Sequence, residues 1–362
     1  MRAALGTTFA IARRELLAYF LSPISYIVAA LFLVVHGYSF FLLCQLLQSR
    51  QAQAGAVMQY FFGGTFLYWL FVMFVVSVLT MRLLAEERQQ GTIEPLLTAP
   101  VGEGAVVLGK YLASLGFYVF LWAPTVAYVG LLRAHAGDAG ALDLGPIAAG
   151  YLGTLLIGAS ALAIGLLCSC LTRSLVLSAV LCFCVLSLLL LLGMLADLYV
   201  KSESARRALL YINLFNQMDE MGRGIVDTRR LALHLSLGAA ALLAAARVLA
   251  ARPGDGRGRL RAGAEGALLL LLLVGVNVLA ARHPQRADWT RGSAFTLSPR
   301  LLGLLDELRA RGRRAQLSVF MYDEGADKSD LYDDVHELLV RAEGAAKGAL
   351  SVEFIDVDRD RD

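Results

Sequence analysis

Long runs of apolar residues, almost free of charge, constrain the fold of this chain more than any other feature. An α-helix needs about 20 such residues to cross the roughly 30 Å hydrocarbon core of a bilayer. Of the 362 residues, 57% are apolar and 17% are charged, a balance typical of membrane proteins. The predicted spans cover residues 24–47, 60–81, 108–132, 144–171, 175–196, 231–251 and 267–281, the last long enough only with its flanks. The sequence therefore predicts an α-helical polytopic membrane protein, with an amphipathic interfacial helix before the first span.

The fourth apolar run carries small residues at every fourth position. These residues are Gly150, Thr154 and Gly158, followed by Ala161, Gly165 and Ser169. Rows of small residues let helix backbones approach closely in a membrane. We therefore expect this helix to be buried in a bundle, although the same face could also line a substrate path.

The end of the chain has the composition of a soluble domain. Ser298 followed by Pro299 predicts a helix start, with serine at the N-cap and proline at the first helical position. Residues 316–322 and 350–358 alternate like strands on either side of a second helix, which implies a parallel pair joined by a crossover helix. Two strands bury too little surface to be stable alone. We therefore expect a partial α/β domain, C-terminally truncated or completed elsewhere.

Basic residues predict the orientation of the chain, because short cytoplasmic loops carry an excess of Lys and Arg. With the N-terminus inside, the early inner segments carry Arg13, Arg14, Arg82, Arg88 and Arg173, and the outer loops before the fifth span carry Arg50 and Arg133. The polar segment 197–230 opposes this rule, and we expect it to form short helices on the outer membrane surface. The orientation places residues 82–104 in the cytoplasm and everything after residue 282 outside.

Few polar residues carry a chemical signature. Residues 104–111 (GAVVLGKY) nearly fit a phosphate-binding loop, but Tyr111 stands where Ser or Thr would bind magnesium, and no strand precedes them. The five cysteines lie in apolar runs, which favours packing over metal binding. The sequence thus predicts no catalytic residue, metal site, bound cofactor or nucleic-acid surface. His36, in mid-membrane, is either a functional polar site or a neutral histidine bonded within the bundle.

A charged insert, residues 83–101 (LLAEERQQGTIEPLLTAPV), separates the second and third apolar runs. Gly91 suits the position after a helix end, where a left-handed backbone is favourable. Thr92 can cap a second short helix. The pattern predicts a rigid, charged helix–turn–helix at one membrane face, which is either a docking element for a partner or a solvated connector.

This insert resembles the cytoplasmic coupling loop of ABC-2 type ABC transporter permeases, where a helix ending E-E-x-x-x-G-T-[IL]-E precedes L-L-x-[ST]-P-[VI]. The matching residues are Glu86, Glu87, Gly91, Thr92, Ile93, Glu94, Leu96, Leu97 and Thr98, with Ala99 standing before Pro100 and Val101. The resemblance implies that the loop couples the permease to an ATPase. The coupling residues would be Glu86, Glu87, Arg88, Gly91, Thr92 and Glu94.

A second segment of the same family, a phenylalanine followed by R-G-[IV]-[IV]-D, resembles residues before the sixth span. The matching residues are Phe215, Arg223, Gly224, Ile225, Val226 and Asp227. The resemblance implies that this segment is extracytoplasmic.

The remainder of the chain resembles the gliding-motility auxiliary component GldG, in which an extracytoplasmic α/β domain follows a membrane span. The matching residues are Asp288, Thr290, Phe295, Thr296, Leu297 and Ser298. The resemblance implies a GldF-like permease, the usual companion of GldG, fused to a GldG-like domain. We expect a permease domain over residues 1–251, a basic cytoplasmic linker over 252–262, a seventh span over 263–282 and an incomplete extracytoplasmic domain over 283–362.

Together these resemblances imply the permease subunit of an ABC exporter of the gliding-motility type, multi-pass in the cytoplasmic (inner) membrane and not itself an enzyme. A separate cytoplasmic ABC ATPase would bind ATP and Mg, and a second permease copy or a paralogue would complete a dimer in the bilayer. The alternative is a structural or assembly protein whose outer domain anchors envelope or surface proteins. No segment identifies a substrate.

Overall fold

A computed structural model of the protein describes residues 2–48, 61–93, 101–135, 143–199, 202, 205, 209–250, 256–293, 295–312, 314–321, 335, 338–339, 342–346 and 348–356. The chain forms two compact units, Met1–Trp289 and Thr290–Asp362. The described helices of the first unit are α1 (Arg2–Leu21), α2 (Pro23–Gln48), α3 (Phe66–Thr80), α4 (Ala85–Gln90), α5 (Glu103–Trp122), α6 (Val126–His135), α7 (Leu144–Leu171), α8 (Leu175–Tyr199), α9 (Leu214–Gly222), α10 (Thr228–Ala250) and α11 (Gly256–Arg282). Its strands are β1 (Ile225–Asp227) and β2 (Arg286–Asp288).

Seven helical segments among the described residues are long and apolar enough to cross a membrane. They are Pro23–Gln45, Phe66–Gln90, Glu103–Ala134, Leu144–Leu171, Leu175–Gly193, Thr228–Ala250 and Ala264–Arg282. The predicted fold class, a polytopic helical membrane protein followed by a small α/β part, is confirmed. The third segment passes through Pro124, where a single 3₁₀ turn, Ala123–Thr125, joins α5 to α6. Proline lacks a backbone N–H, and this local change of hydrogen bonding accommodates it.

Helix α7 lies at the centre of the first unit, as its small residues predicted. A Cβ atom added to Gly158 would lie 2.3 Å from the ring of Tyr118. One added to Gly165 would lie 2.3 Å from the hydroxyl of Thr80. Because these neighbours occupy the space of a side chain, the helices approach α7 at the distance that glycine permits. The largest fully buried side chains of the unit include Trp69, Tyr118, Phe32, Phe62 and Lys110.

The segment before the sixth span is buried more deeply than its polarity predicted. In α9, Gln217 is 0% exposed, and Met218 and Met221 are each 1% exposed. A Cβ on Gly153 would meet the sulfur atoms of both methionines. Helix α7 begins at Leu144, and at a rise of 1.5 Å per residue Gly153 lies about 13 Å from that end. Helix α9 therefore packs against the interior of the bundle. The segment forms a short helix as expected, and the apolar methionine side chains of α9 are buried against the glycine face of α7.

Strand β1 pairs antiparallel with β2, in a register that sets Ile225 opposite Asp288 and Asp227 opposite Arg286. This pairing attaches the residues after α11 to the segment between α9 and α10. Within the membrane-length part of α11, Asn277 donates hydrogen bonds to Ser236 Oγ at 2.9 Å and to the Leu273 carbonyl at 2.8 Å. Helix α11 begins at Gly256, inside the stretch predicted as a linker, because Arg, Leu and Ala residues of high helix propensity extend it.

The second unit contains α12 (Pro299–Ala310), β3 (Ala315–Met321) and β4 (Leu350–Asp356). Helix α12 begins where Ser298 and Pro299 predicted, with Ser298 Oγ accepting from Leu301 N at 3.2 Å. Strands β3 and β4 are parallel, with Ala315 opposite Leu350. Apolar side chains of α12 and of the described part of the crossover form its core: Leu305, Ala342, Ala346 and Ala349.

Candidate functional site

The charged insert between α3 and α5 is fixed to the bundle at its base. The hydroxyl of Ser169, near the end of α7, accepts hydrogen bonds from the backbone N–H groups of Leu84 and Ala85, both at 3.0 Å. The same hydroxyl donates to the carbonyl of Met81 at 3.3 Å. The first N–H groups of a helix lack partners within it, so Ser169 caps α4 from another helix. The base of the insert is therefore part of the bundle.

A buried lysine provides a second attachment. Lys110 of α5 is 2% exposed, and its Nζ lies 2.9 Å from Oε1 of Glu87 and 3.1 Å from Oε1 of Glu15. Arg14 lies 2.6 Å from Glu15 and 3.8 Å from Glu87. Two cations thus balance two carboxylates where α1, α4 and α5 meet. This arrangement joins the coupling-loop candidate Glu87 to α1 and to α5.

The carboxyl of Glu15 remains ionised in this cluster. Burial alone would raise its pKa, but the charge of Lys110 and hydrogen bonds from Arg14 and Lys110 together lower the pKa below its ordinary value. A buried carboxylate needs such partners, because its desolvation is otherwise costly. The charged form of Glu15, the form that pairs with Lys110, is therefore favoured in the folded protein.

The far end of α4 is exposed. Gly91 follows the helix with φ of 70°, the left-handed conformation predicted for it. The hydroxyl of Thr92 donates to the carbonyl of Glu87 at 3.4 Å. Side chains from Gln89 to Thr92 are exposed, and those of Glu86 and Arg88 are partly buried. Glu94 and the second short helix predicted after Thr92 lie outside the described residues.

The near-match to a phosphate-binding loop does not form a loop in the structure. Residues 104–111 lie within α5, a continuous helix from Glu103 to Trp122. The lysine of that pattern, Lys110, is engaged by Glu15 and Glu87. A phosphate cradle needs irregular backbone with several N–H groups directed at one point, and a helix interior offers none. Among the described residues, no group of three or more His, Cys, Asp or Glu side chains could hold a metal ion.

The second predicted site, around β1, is brought together by the structure. The ring of Phe215 packs against that of Trp69, with centroids 5.7 Å apart. Arg223 forms an ion pair with Asp219 at 3.0 Å. Gly224 has φ of 92°, and its carbonyl accepts from Trp289 N at 2.9 Å. The Arg-Gly pair thus supplies a turn into β1 that a residue with a side chain would strain.

Asp227, at the end of β1, is the most connected residue of this segment. Its Oδ1 accepts from Arg229 N at 2.9 Å, which caps α10. Its Oδ2 accepts from Nε of Arg229 at 2.8 Å and from Nε of Arg286 at 3.1 Å. Burial would raise the pKa of Asp227, but the hydrogen bonds from Arg229 and the charges of both arginines lower it below its ordinary value. Asp227 is therefore an ionised link between β1, β2 and α10.

His36 is enclosed by aromatic rings within the membrane-length part of α2. It is 0% exposed, stacks on Phe32 with centroids 3.9 Å apart, and meets Trp122 edge to face at 4.7 Å. Its Nδ1 lies 2.9 Å from the Phe32 carbonyl, which can only accept, so Nδ1 carries the hydrogen. Within the described part of the chain, its Nε2 has no hydrogen-bond partner.

Sequence reasoning missed three residues that organise these sites. Lys110 had a signal, since an ionisable residue inside a membrane span is a functional candidate by default. His234 of α10 had the same signal, and it lies between Ser160 Oγ at 2.8 Å and Gln217 Oε1 at 2.7 Å. Ser169 had none, because a hydroxyl in a row of small residues is typical of helix packing.

Comparison with known proteins agrees with the helical architecture. The ABC-2 family transporter proteins match residues 21–202, just over half of the chain, from the first span through the fifth. Among proteins with curated descriptions, none matches the chain. The matched region contains α4 and its attachments to Lys110 and Ser169. The chain therefore belongs to the ABC-2 family of transporter membrane proteins.

Proposed function

We propose that this chain is the permease subunit of an ABC exporter, and that α4 receives the movement of a separate cytoplasmic ATPase. The single observation that carries the proposal is the attachment of Glu87 to buried Lys110, 2.9 Å apart. A solvated connector needs no buried ion pair at its base. An element that transmits force needs one, because motion at its tip must reach the spans.

The attachment of α4 gives this transmission a path. Ser169 holds its start to α7, and Lys110 holds its middle to α5 and α1. Leu83 and Leu84 are buried against residues of α5, α7 and α10. A partner that engages the exposed residues 89–92 would therefore displace several helices together. Packed interfaces of this kind shift between discrete arrangements rather than deform continuously.

The remaining parts of the proposal rest on the sequence. Basic residues favour a cytoplasmic position for α4 and an extracytoplasmic position for Thr290–Asp362, in the inner membrane. ATP and Mg²⁺ would be bound by the partner ATPase. A second copy or a paralogue would complete the transport path, with outward transport and a gliding-motility role drawn from the resemblance to GldF and GldG.

Anchoring of envelope or surface proteins is the second candidate. The pairing of β1 with β2, reinforced by Arg286 on Asp227, supports it, because residues just before the second unit are held to the membrane bundle. Such an attachment would also bear load from a docked partner. The two candidates differ in whether the chain must engage an ATPase.

The test uses the full chain with the cytoplasmic ABC ATPase that co-purifies with it. Arg88→Glu, at a partly buried position, and Thr92→Arg, at an exposed one, change the far end of α4 and leave Glu87, Lys110 and Ser169 in place. We expect the dissociation constant for the ATPase to rise by about 30-fold or more, the effect of losing a hot spot of roughly 2 kcal/mol. ATP turnover stimulated by the permease should fall, and the unfolding temperature should not change.

Arg133→Glu is the matched control, since Arg133 is exposed in the last turn of α6, at the outer end of the third span in the proposed orientation. It reverses one charge and should leave ATPase binding unchanged. Unchanged binding and turnover in the α4 variants would refute the coupling role. Co-purification of envelope proteins without any ATPase would favour anchoring.

A further inference from the structure

A cavity of about 110 Å³ lies beside the base of α4, between the end of α1, the first turn of α2 and the end of α3. Its lining includes the charged or polar side chains of Glu15, Tyr19, Ser22, Ser25, Arg82 and Glu86. One water molecule needs roughly 10–15 Å³ of such space, so the cavity can hold a group of several heavy atoms. Both a cation and carboxylates face this space, which indicates a ligand that carries both signs of charge.

One side of the cavity is suited to a phosphate group. Nη1 of Arg82 donates to Ser22 Oγ at 3.2 Å, but its Nε is buried and has no hydrogen-bond partner among the described residues. The nearest carboxylate oxygen, Oε2 of Glu86, is 3.7 Å away, too far for a hydrogen bond. Ile24 and Ser25, in the first turn of α2, also line the cavity, and a helix N-terminus attracts anions. A phosphate oxygen here would accept the hydrogen bond that Nε of Arg82 otherwise does not make.

The other side is suited to an ammonium group. Oε1 of Glu15 accepts from Arg14 and Lys110, whereas no hydrogen bond reaches its Oε2 within the described chain. Oε1 of Glu86 accepts from Gln90 at 3.2 Å, and in the same residues its Oε2 receives no hydrogen bond. Two carboxylate oxygens therefore receive no hydrogen bond from the described residues, although Oε2 of Glu86 also lies 3.7 Å from Nε of Arg82 as an ion pair. A primary ammonium has three N–H donors, enough to engage both.

The position of the cavity matches the headgroup level of a bilayer. It lies where the apolar helix α2 begins and where α3 gives way to the charged insert. Ile24 at its rim is followed by Ile27 and Leu31 on the same face of α2, and all are exposed. This apolar strip offers a surface for an acyl chain directly below the polar lining.

We propose that this cavity binds the headgroup of phosphatidylethanolamine, with the phosphate on Arg82 and Ser22 and the ammonium between Glu15 and Glu86. A headgroup with a phosphate but no cation would add a negative charge beside Glu15 and Glu86 and would offer no N–H donor to their remaining oxygens. A choline headgroup is larger and has no N–H to donate. The proposal is independent of ATPase coupling, since lipid binding is measured without the ATPase.

Native mass spectrometry of the full chain in detergent tests this lipid-binding proposal. The protein is titrated with phosphatidylethanolamine, phosphatidylcholine and phosphatidylglycerol of identical acyl chains, and with soluble glycerophosphoethanolamine. We expect phosphatidylethanolamine to bind at least about tenfold more tightly than each of the other three. Equal binding of the three lipids would overturn the headgroup assignment. If glycerophosphoethanolamine bound as tightly as phosphatidylethanolamine, the occupant would not be a membrane lipid.

Two variants locate the site. Arg82→Gln should weaken phosphatidylethanolamine binding by about tenfold, and Ser25→Leu, which fills the cavity while retaining Arg82, should abolish the preference. Arg13→Gln is the matched control, because Arg13 is an exposed residue of α1 outside the cavity lining. Thermal unfolding of each variant verifies that it is folded. Unchanged lipid preference in a folded Ser25→Leu protein would refute the site.

Discussion

Oε1 of Glu87 and Nζ of Lys110 lie 2.9 Å apart and join the charged insert to the third membrane span. The side chain of Lys110 is 2% exposed, whereas those of Glu87 and Glu15 are 17% and 18% exposed. The lysine is thus a buried cation held by two carboxylates closer to solvent. Replacing a whole buried ion pair can be nearly neutral, but removing one partner leaves a buried charge uncompensated. The free energy of the cluster therefore depends on all of its members being present.

Lys110→Met should destabilise the protein strongly, because Glu15 and Glu87 would then face each other with Arg14 as their remaining cation. Loss of one partner of a buried pair costs about 3–5 kcal/mol. This loss of stability is measured as the change in the free energy of unfolding, from chemical or thermal unfolding in detergent. Arg247→Met is the control, since Arg247 forms an exposed ion pair with Glu265 at 3.2 Å, and such pairs contribute about 0–1 kcal/mol. Equal effects of the two substitutions would contradict the buried cluster.

The membrane spans could be predicted from the sequence, whereas the cluster around Lys110 could not. A span must be apolar along its own length, so each one is encoded locally. Glu15 and Lys110 are 95 residues apart, and no spacing rule relates them. The left-handed turn at Gly91 was predictable because its cause, the absence of a Cβ, is a property of that residue alone.

Gly165→Ala should destabilise the bundle by about 1–3 kcal/mol, the cost of overpacking a close helix contact. The added Cβ would lie 2.3 Å from the hydroxyl oxygen and 2.8 Å from Cβ of Thr80, so α3 and α7 must move apart. Gly275→Ala in α11 is the matched control, because its Cβ meets nothing within 4 Å. Removing a helix glycine there should stabilise by about 0.5–1 kcal/mol. The unfolding temperature should fall for Gly165→Ala and rise for Gly275→Ala. Shifts of the same sign would argue against the close contact between Gly165 and Thr80.

Asp227→Asn should remove an acid-dependent part of the stability. Its pKa in the folded protein lies below the ordinary value of about 3.9 for the unfolded chain. The stabilisation is therefore fully present above about pH 4 and is lost as the pH falls through the folded pKa. Unfolding temperatures measured from pH 7 to about pH 2 should be lower for Asp227→Asn at neutral pH, and the difference from the native protein should shrink as the pH falls below about 4. Asp306→Asn, at an exposed position of α12, should follow the native curve, and a constant difference for Asp227→Asn would contradict the assignment.

The pairing of β1 with β2 was also beyond the reach of sequence reasoning. Each strand has three residues, too few for an alternating pattern to be recognised. The R-G-I-V-D segment was identified by resemblance, but its partner, Arg286–Asp288, follows another membrane helix. The burial of α9 was missed because asparagine, glutamine and acidic residues in its sequence suggested a surface position. Gln217 is instead satisfied by His234 and by the carbonyl of Tyr211.

A disulfide should form between cysteines placed at Val226 and Ala287, which are directly opposite in β1 and β2. Opposed residues of antiparallel strands have Cα atoms about 4.5–5.5 Å apart, within the range that a disulfide spans. The five native cysteines are free and would first be replaced by alanine. Mass spectrometry after mild oxidation should find the cross-link in most molecules. Val226→Cys with Asp288→Cys is the control, because neighbouring side chains of a strand point to opposite faces. Efficient cross-linking of the control pair, or none of the first, would show that the segment after α11 does not pair with β1 in this register.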